Sequence, residues 1–289
     1  GITTGFILTA LLQSSSATTV MIVSFVNAGL LSLVESIGVI MGANIGTTIT
    51  AWLISLLGFK VKIASIALPI IAIGFPMMFS SKSKIKAWAE VLIGFALLFM
   101  GLDALKESVP NLGSEELNFL KSYADMGIMS TLIFIGVGTI LTLVVQSSSA
   151  AMALTLVMCY EGYIPFELAA AMVLGENIGT TITANLAALV GNVHSKRAAR
   201  AHFIFNIFGV IWMIFAFQFF INSIDNYMIS NMDLSPVSSV GESVAVPIGL
   251  SIFHTTFNIL NVLFLVWFVP LISRTVIRMQ PSKGEIDEE

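Results

Sequence analysis

Seven stretches of this chain contain no Asp, Glu, Lys or Arg: 1–34, 36–59, 63–81, 126–160, 177–195, 203–224 and 243–273. A bilayer-spanning helix needs about 20 mostly apolar residues, and most of these stretches come close to that length or exceed it. The pattern predicts helices at 36–57, 63–79, 88–105, 127–145, 150–160, 164–190, 201–221 and 244–270, and hence an all-α polytopic membrane protein. Polar residues break the apolar runs in clusters. One is the serine run "QSSSATT" at 13–19; another is "GANIGTTITA" at 42–51. Serine runs are usually linkers, but these lie inside charge-free apolar sequence, where a solvated linker has no place.

Both clusters recur. "QSSSAAM" at 146–152 repeats the first with five of seven residues identical, and "GENIGTTITA" at 175–184 repeats the second with nine of ten. Each recurs at an offset of 133 (146 − 13 and 175 − 42). Two motifs at one fixed offset define an internal duplication. It divides the chain into a first repeat, 1–87, a second repeat with a final helix, 88–273, and a cytoplasmic tail, 274–289. The helix and linker ahead of the second repeat have no counterpart before Gly1. The repeat arithmetic therefore predicts roughly 30–45 further N-terminal residues with one apolar span. Each QSSS lies between two apolar arms. The arm after the second is about 11 residues, too short to cross at about 1.5 Å per residue. Each QSSS is therefore predicted at the tip of a re-entrant hairpin.

Basic residues favour the cytoplasmic side. Lys82, Lys84 and Lys86 mark one inner loop, Lys196, Arg197 and Arg200 a second, solvated one, and Arg274, Arg278 and Lys283 an inner C-terminus. The loop 225–242 carries Asp225, Asp233 and Glu242 without a base and belongs outside, as does the acidic segment 106–125. Helix 36–57 then runs outward and its copy 164–190 inward. The two repeats are inverted, in a multi-pass protein of the cell (inner) membrane with a cytoplasmic C-terminus.

Inverted repeats with interrupted helices point to a secondary transporter whose site lies at the midplane between the repeats. Gly42, Gly46, Gly175 and Gly179 each cost about 1 kcal/mol of helix propensity and are expected to let both G-x-N-I-G-T-T helices unwind at the substrate. Helix N-termini at the hairpin tips suit an anion, and seryl hydroxyls add donors and acceptors. The candidate ligands of a tetrahedral oxyanion are Gln13, Ser14, Ser15, Ser16, Ser147, Ser148 and Ser149, with Asn44 and Asn177. Glu176, Thr180 and Thr183 stand at i, i+4 and i+7, one helix face. With unwound carbonyls and Gln146 they offer hard oxygen ligands for a small cation. The first copy keeps Thr47 and Thr50 but has Ala43 in place of the acid, so the second copy is the stronger cation site. An intramembrane acid is functional by default.

Composition agrees. Hydrophobic residues make up 56% and charged residues 10%, against about 25% charged in ordinary globular chains, and mean hydropathy is +0.94. A net charge of −4 without a basic patch gives nucleic acid nothing to bind. No nucleophile–base arrangement appears, so the chain does not read as an enzyme, and no cofactor is expected beyond a small hard coupling cation. Cys159 is the single cysteine, an inert apolar residue. His202 with Asn206, and His254 with Asn258, are i, i+4 pairs that lack a third metal ligand; they read as buried hydrogen-bonding groups.

The paired QSSS and G-x-N-I-G-T-T motifs resemble the sodium/phosphate cotransporter family, the type II group with its bacterial members. The similarity extends to "RAARAHFIFN" at 197–206 and "HTTFN" at 254–258, and so over nearly the whole chain. The resemblance implies inverted repeats, each with a QSSS hairpin, and inward phosphate transport driven by sodium. It implies sodium ligands at Gln146, Ser147, Glu176, Thr180 and Thr183, and phosphate held by the serines of both runs. The chain departs from that pattern. Animal members carry a small polar residue at the position of Glu176. They also have, after the first G-x-N-I-G-T-T motif, an aspartate linked in some members to electrogenic transport; Leu57–Val61 holds no acid. Many bacterial relatives end in a cytosolic regulatory domain, whereas this chain ends in "PSKGEIDEE".

The expected function is sodium-coupled symport of inorganic phosphate by alternating access, in a lipid bilayer, with a homodimer compatible with that role. The alternatives are phosphate export, a sodium-coupled carrier of another oxyanion or dicarboxylate, and a passive anion channel. No Lys or Arg lies inside a predicted span, which favours a compact anion neutralised by co-bound sodium. A channel would expect basic rings along its pore.

Overall fold

The computed structural model describes residues 1–60, 63–108, 126–239 and 243–282. Their regular elements are all helical: α1 (Ile2–Leu12), α2 (Ser15–Asn27), α3 (Leu33–Leu53) continuing into a π-helical segment (Ile54–Lys60), a 3-10 turn (Ile63–Ile66), α4 (Ala67–Met77), α5 (Ser83–Ser108), α6 (Ile128–Val145), α7 (Ser148–Tyr160), α8 (Phe166–Ala188), α9 (Val193–Met232), α10 (Ala245–Leu265), a second 3-10 turn (Val266–Phe268) and α11 (Val269–Met279).

The helix boundaries follow local chemistry. Ser32 opens α3 through a capping box with Glu35, satisfying two of the N–H groups a helix start leaves open. Asn192 opens α9 by accepting from the Ser195 N–H at 2.9 Å. The turns after α2 and α7 pass through Gly29 (φ 70°) and Gly162 (φ 79°), equivalent positions in the duplication and backbone conformations that favour glycine.

Among the described residues, five helices are long and apolar enough to cross a membrane: Leu33–Phe59, Ser83–Ser108, Ile128–Val145, Val193–Met232 and Ala245–Met279. The arms that follow the two QSSS runs are different. α2 and α7 have 13 residues each, roughly 20 Å of helix, short of a hydrocarbon core of about 30 Å. At the other extreme α9 has 40 residues and is roughly 60 Å long.

α8 lies at the centre. Every residue from Leu168 to Asn177 is buried, as expected of a helix covered on all sides. It packs against α6 and α7, and against α2, α9 and α10. Its equivalent, α3, packs against α1, α2, α9 and α10. α5 instead leaves most of its apolar surface bare, including Trp88 and Leu97.

Several expectations from the sequence are corrected. The G-x-N-I-G-T-T segments do not unwind: α3 and α8 run as unbroken α-helix through both. Their glycines serve close packing. A Cβ on Gly42 would overlap the carbonyl oxygen of Ile2, and one on Gly175 that of Ile135, so two helix backbones touch there in each repeat. Lys196, Arg197 and Arg200 do not form a solvated loop; they sit in the first turns of α9. Arg197 is only 1% exposed, and its Nε donates to the Gln280 carbonyl at 2.9 Å, tying the end of α11 to α9. The long apolar packing face of α9 carries that guanidinium inward, and a backbone carbonyl meets it. Residues 225–232 of the expected outer loop are the end of α9, and residues 274–279 of the expected tail belong to α11. The helix expected at 63–79 is the shorter α4 preceded by a 3-10 turn. Of the acidic segment 106–125, residues 109–125 lie outside the described residues, as do Glu242 and Lys283.

Candidate substrate and ion site

The two serine runs form matching corners. Gln13 ends α1 in a left-handed conformation (φ 52°), and Gln146 ends α6 in the same way (φ 56°). Each next residue is an N-cap: the Ser14 hydroxyl accepts from the Ala17 N–H at 3.1 Å, and the Ser147 hydroxyl from the Ala150 N–H at 3.2 Å. α2 and α7 then begin at Ser15 and Ser148, and these two side chains meet, Oγ to Oγ, at 3.2 Å. Residues 133 positions apart are thus in direct contact, with two helix N-termini converging beside them.

A small cavity opens at this contact. Three residues of the first copy line it, Ser15, Asn44 and Thr47, and so do their three equivalents, Ser148, Asn177 and Thr180. Glu176 and His254 complete the lining. Its free volume is about 10 Å³, room for about one water and far too little for a tetrahedral oxyanion. No Lys or Arg lines it.

Glu176 is 4% exposed. Its Oε1 accepts from the Thr155 hydroxyl on α7 at 2.6 Å. The neighbouring hydroxyls bond within their own helices: Thr47 to the Ala43 carbonyl at 3.0 Å and Thr180 to the Glu176 carbonyl at 2.9 Å. Each threonyl oxygen keeps a lone pair for a ligand. An anion could therefore meet hydroxyls and helix N-termini, and a cation a carboxylate and hydroxyl oxygens, within one enclosed space.

The remaining sequence candidates lie around this cavity, outside its lining. Ser14 and Ser147 are committed as caps. Ser16 is half-buried, and Ser149 reaches the Gln13 carbonyl at 3.4 Å. Gln13 accepts from the Thr50 hydroxyl at 3.0 Å. Thr183 is half-buried and Gln146 exposed, and the two make no counterpart of that bond. Two residues in the site were not selected from sequence as ligands. Thr155 carries no motif. His254 belongs to "HTTFN", where its i, i+4 partner Asn258 drew attention to its own helix; Asn258 donates to the His254 carbonyl at 2.9 Å.

The family model described as Na+/Pi-cotransporter matches residues 1–107 and 115–232. The chain belongs to the Na+/Pi-cotransporter family. The YqeW protein of Bacillus subtilis (strain 168) is 31% identical over 210 residues, 71% of this chain and 64% of that protein. A Salmonella typhimurium protein, YjbB, whose name proposes inorganic phosphate export, is 26% identical over 288 residues, 98% of this chain and 48% of its own length. Sodium-dependent phosphate transport protein 2A of Rattus norvegicus is 46% identical over 57 residues, 20% of this chain and 9% of that protein. The chain thus spans about half to two thirds of the bacterial relatives it matches. No solved structure matches it. Na+/Pi-cotransporter proteins are transporters, and this member is a multi-pass membrane protein rather than an enzyme.

Proposed function

We propose that this Na+/Pi-cotransporter family member moves inorganic phosphate across the membrane in company with sodium, by alternating access. One observation carries the reading. Three pairs of equivalent polar residues from the two repeats converge on one cavity with two helix N-termini and a buried carboxylate, and its lining holds no Lys or Arg. A compact oxyanion suits the hydroxyls and N-termini; a sodium ion suits Glu176 and Thr180, with Thr183, Gln146 and Ser147 nearby. The co-bound cation neutralises part of the anion's charge, the role a Lys or Arg would otherwise take.

The cavity is closed, so phosphate enters when the tips carrying Ser15 and Ser148 separate. The 13-residue length of α2 and α7 favours re-entrant hairpins, and the basic groups at Lys82–Lys86 and Arg274–Arg278 favour an inverted arrangement with the C-terminus in the cytoplasm. Both the YjbB and the sodium-dependent 2A relatives carry phosphate in their names; the first names export, and the second names sodium dependence without a direction. Similarity to YjbB over nearly the whole chain keeps export as the second reading.

The test is radiolabelled phosphate uptake into proteoliposomes. Accumulation against a phosphate gradient, present only with an inward sodium gradient, is expected. Uptake indifferent to sodium would remove the coupling, and flux that only dissipates the phosphate gradient would indicate a channel. Net efflux under physiological gradients in cells would select export.

A further inference from the structure

Resting on the reading of this cavity as an oxyanion site, we propose that His254 accepts a hydrogen bond from a protonated oxygen of the substrate. It thereby makes hydrogen phosphate, and not sulfate, the anion the cavity holds.

The lining is composed of equivalent pairs except for Glu176 and His254. The paired groups already have partners. Asn44 and Asn177 each donate to a carbonyl on their own helix at 3.0 Å, and the threonines do likewise. The serines meet each other, and Glu176 is met by Thr155. His254 is the exception. It arrives from α10, is 4% exposed, and its Nδ1 is buried without a hydrogen-bond partner. Asn258 engages only its backbone carbonyl. A buried polar atom left open inside a folded protein calls for an explanation, and here the residue also lines the enclosed polar cavity.

A neutral imidazole carries one donor and one acceptor whichever tautomer it adopts. It can give a hydrogen bond to a bare oxygen and take one from an oxygen that bears a proton. Hydrogen phosphate offers both kinds of oxygen. Sulfate at neutral pH offers only bare ones, so where the nitrogen that meets the anion is the acceptor, a sulfate oxygen is set against its lone pair. Sites that hydrogen-bond a substrate hydroxyl reject analogues lacking it by up to about 10⁴–10⁵. Size and charge separate phosphate from sulfate poorly, so a proton-reading group is what such a site needs.

His202 supplies a matched control. It forms the same i, i+4 arrangement with Asn206 and also has a buried, unpartnered Nδ1, but it does not line the cavity.

The experiment is equilibrium binding of radiolabelled phosphate to the purified protein in saturating sodium, with sulfate and arsenate as competitors. Wild type should prefer phosphate strongly, with arsenate, which also carries a proton, close behind. His254→Leu should shrink the phosphate-to-sulfate ratio at least about 10-fold by weakening phosphate while sparing sulfate. His254→Gln, which retains an acceptor oxygen, should keep most of the ratio, and His202→Leu all of it. Should His254→Leu fail to fold, His254→Met replaces it with an adaptable apolar chain. An unchanged ratio in the apolar His254 variants overturns the proposal, and a collapse in Glu176→Gln alone would assign proton reading to the carboxylate. An equal loss of both anions also overturns it. If wild type binds no phosphate, the oxyanion reading of the cavity itself fails, and this proposal with it.

Discussion

The first and second copies of the duplicated unit share a scaffold and differ in what their side chains have left to offer. In the first copy the polar groups satisfy one another. Thr9 donates to Thr18 at 3.1 Å, and Thr50 donates to Gln13 at 3.0 Å. In the second copy, Ala151 stands where Thr18 does, and the hydroxyl of Thr142, the equivalent of Thr9, is buried without a partner. Gln146 and Thr183 make no bond to each other, and Glu176 replaces Ala43. The glycine contacts, the left-handed glutamines and the serine caps are the same in both. Backbone geometry has been kept, then, while oxygen atoms in one copy have been freed, and a cation needs free oxygens. On the proposed function, the shared features would hold the tips and the second copy would bind the ion.

The largest effect should come from the shared scaffold. Gly42→Ala and Gly175→Ala each push a Cβ into a backbone carbonyl, and overpacking of this kind costs about 1–3 kcal/mol or more. Both should lower the melting temperature and the yield of folded protein, whereas Gly136→Ala, in open space, should not. Sensitivity in only one copy would break the claim of a common scaffold. Next is the acid. Glu176→Gln should raise the sodium concentration for half-maximal transport by about 10- to 150-fold, since a charged buried interaction is worth about 1.5–3 kcal/mol. Unchanged sodium dependence would reduce Glu176 to a partner of Thr155.

Ser15→Ala and Ser148→Ala should each weaken phosphate binding about 10-fold, as for one hydroxyl donated to a charged oxygen. Because they share one contact, the double variant should lose less than the product of the two. Ser81→Ala, at an exposed loop, should do nothing. The threonines sharpen the contrast further. Thr50→Val should cost about 1 kcal/mol of stability through its lost bond and spare sodium dependence. Thr183→Val should spare stability and raise the sodium requirement; the same result in both would erase the distinction. Finally, single cysteines at Lys84 and Arg278 should label from the inside and one at Asn231 from the outside. Asn231 on the same side as Arg278 would rule out the inverted orientation.

Much of this was legible in the sequence because it depends on local pattern. Apolar runs gave most of the helices, the fixed offset gave the duplication, and the motifs supplied seven of the eight residues around the cavity. The rest depends on contacts that spacing does not encode. A glycine that weakens a helix and one that admits a neighbouring backbone look alike in sequence, so unwinding was expected where close packing is found. Arg197 reads as solvated until Gln280, 83 positions away, supplies its acceptor. His254 lies outside the duplicated motifs, and only packing of α10 against α3 and α8 brings it to the cavity.

The Ser15–Ser148 contact also bears on ancestry. Before the unit was duplicated and fused, a protein assembling from two identical chains would have brought that serine against itself. A position facing its own copy admits only groups that can pair with their like. A hydroxyl both donates and accepts a hydrogen bond and qualifies; two carboxylates or two ammonium groups would repel. A single chain carrying both halves is free of that restriction, and here the halves differ at Ala43 and Glu176. The Ser15–Ser148 contact is one a self-pairing position permits, and Ala43 against Glu176 is a difference that two identical chains could not hold.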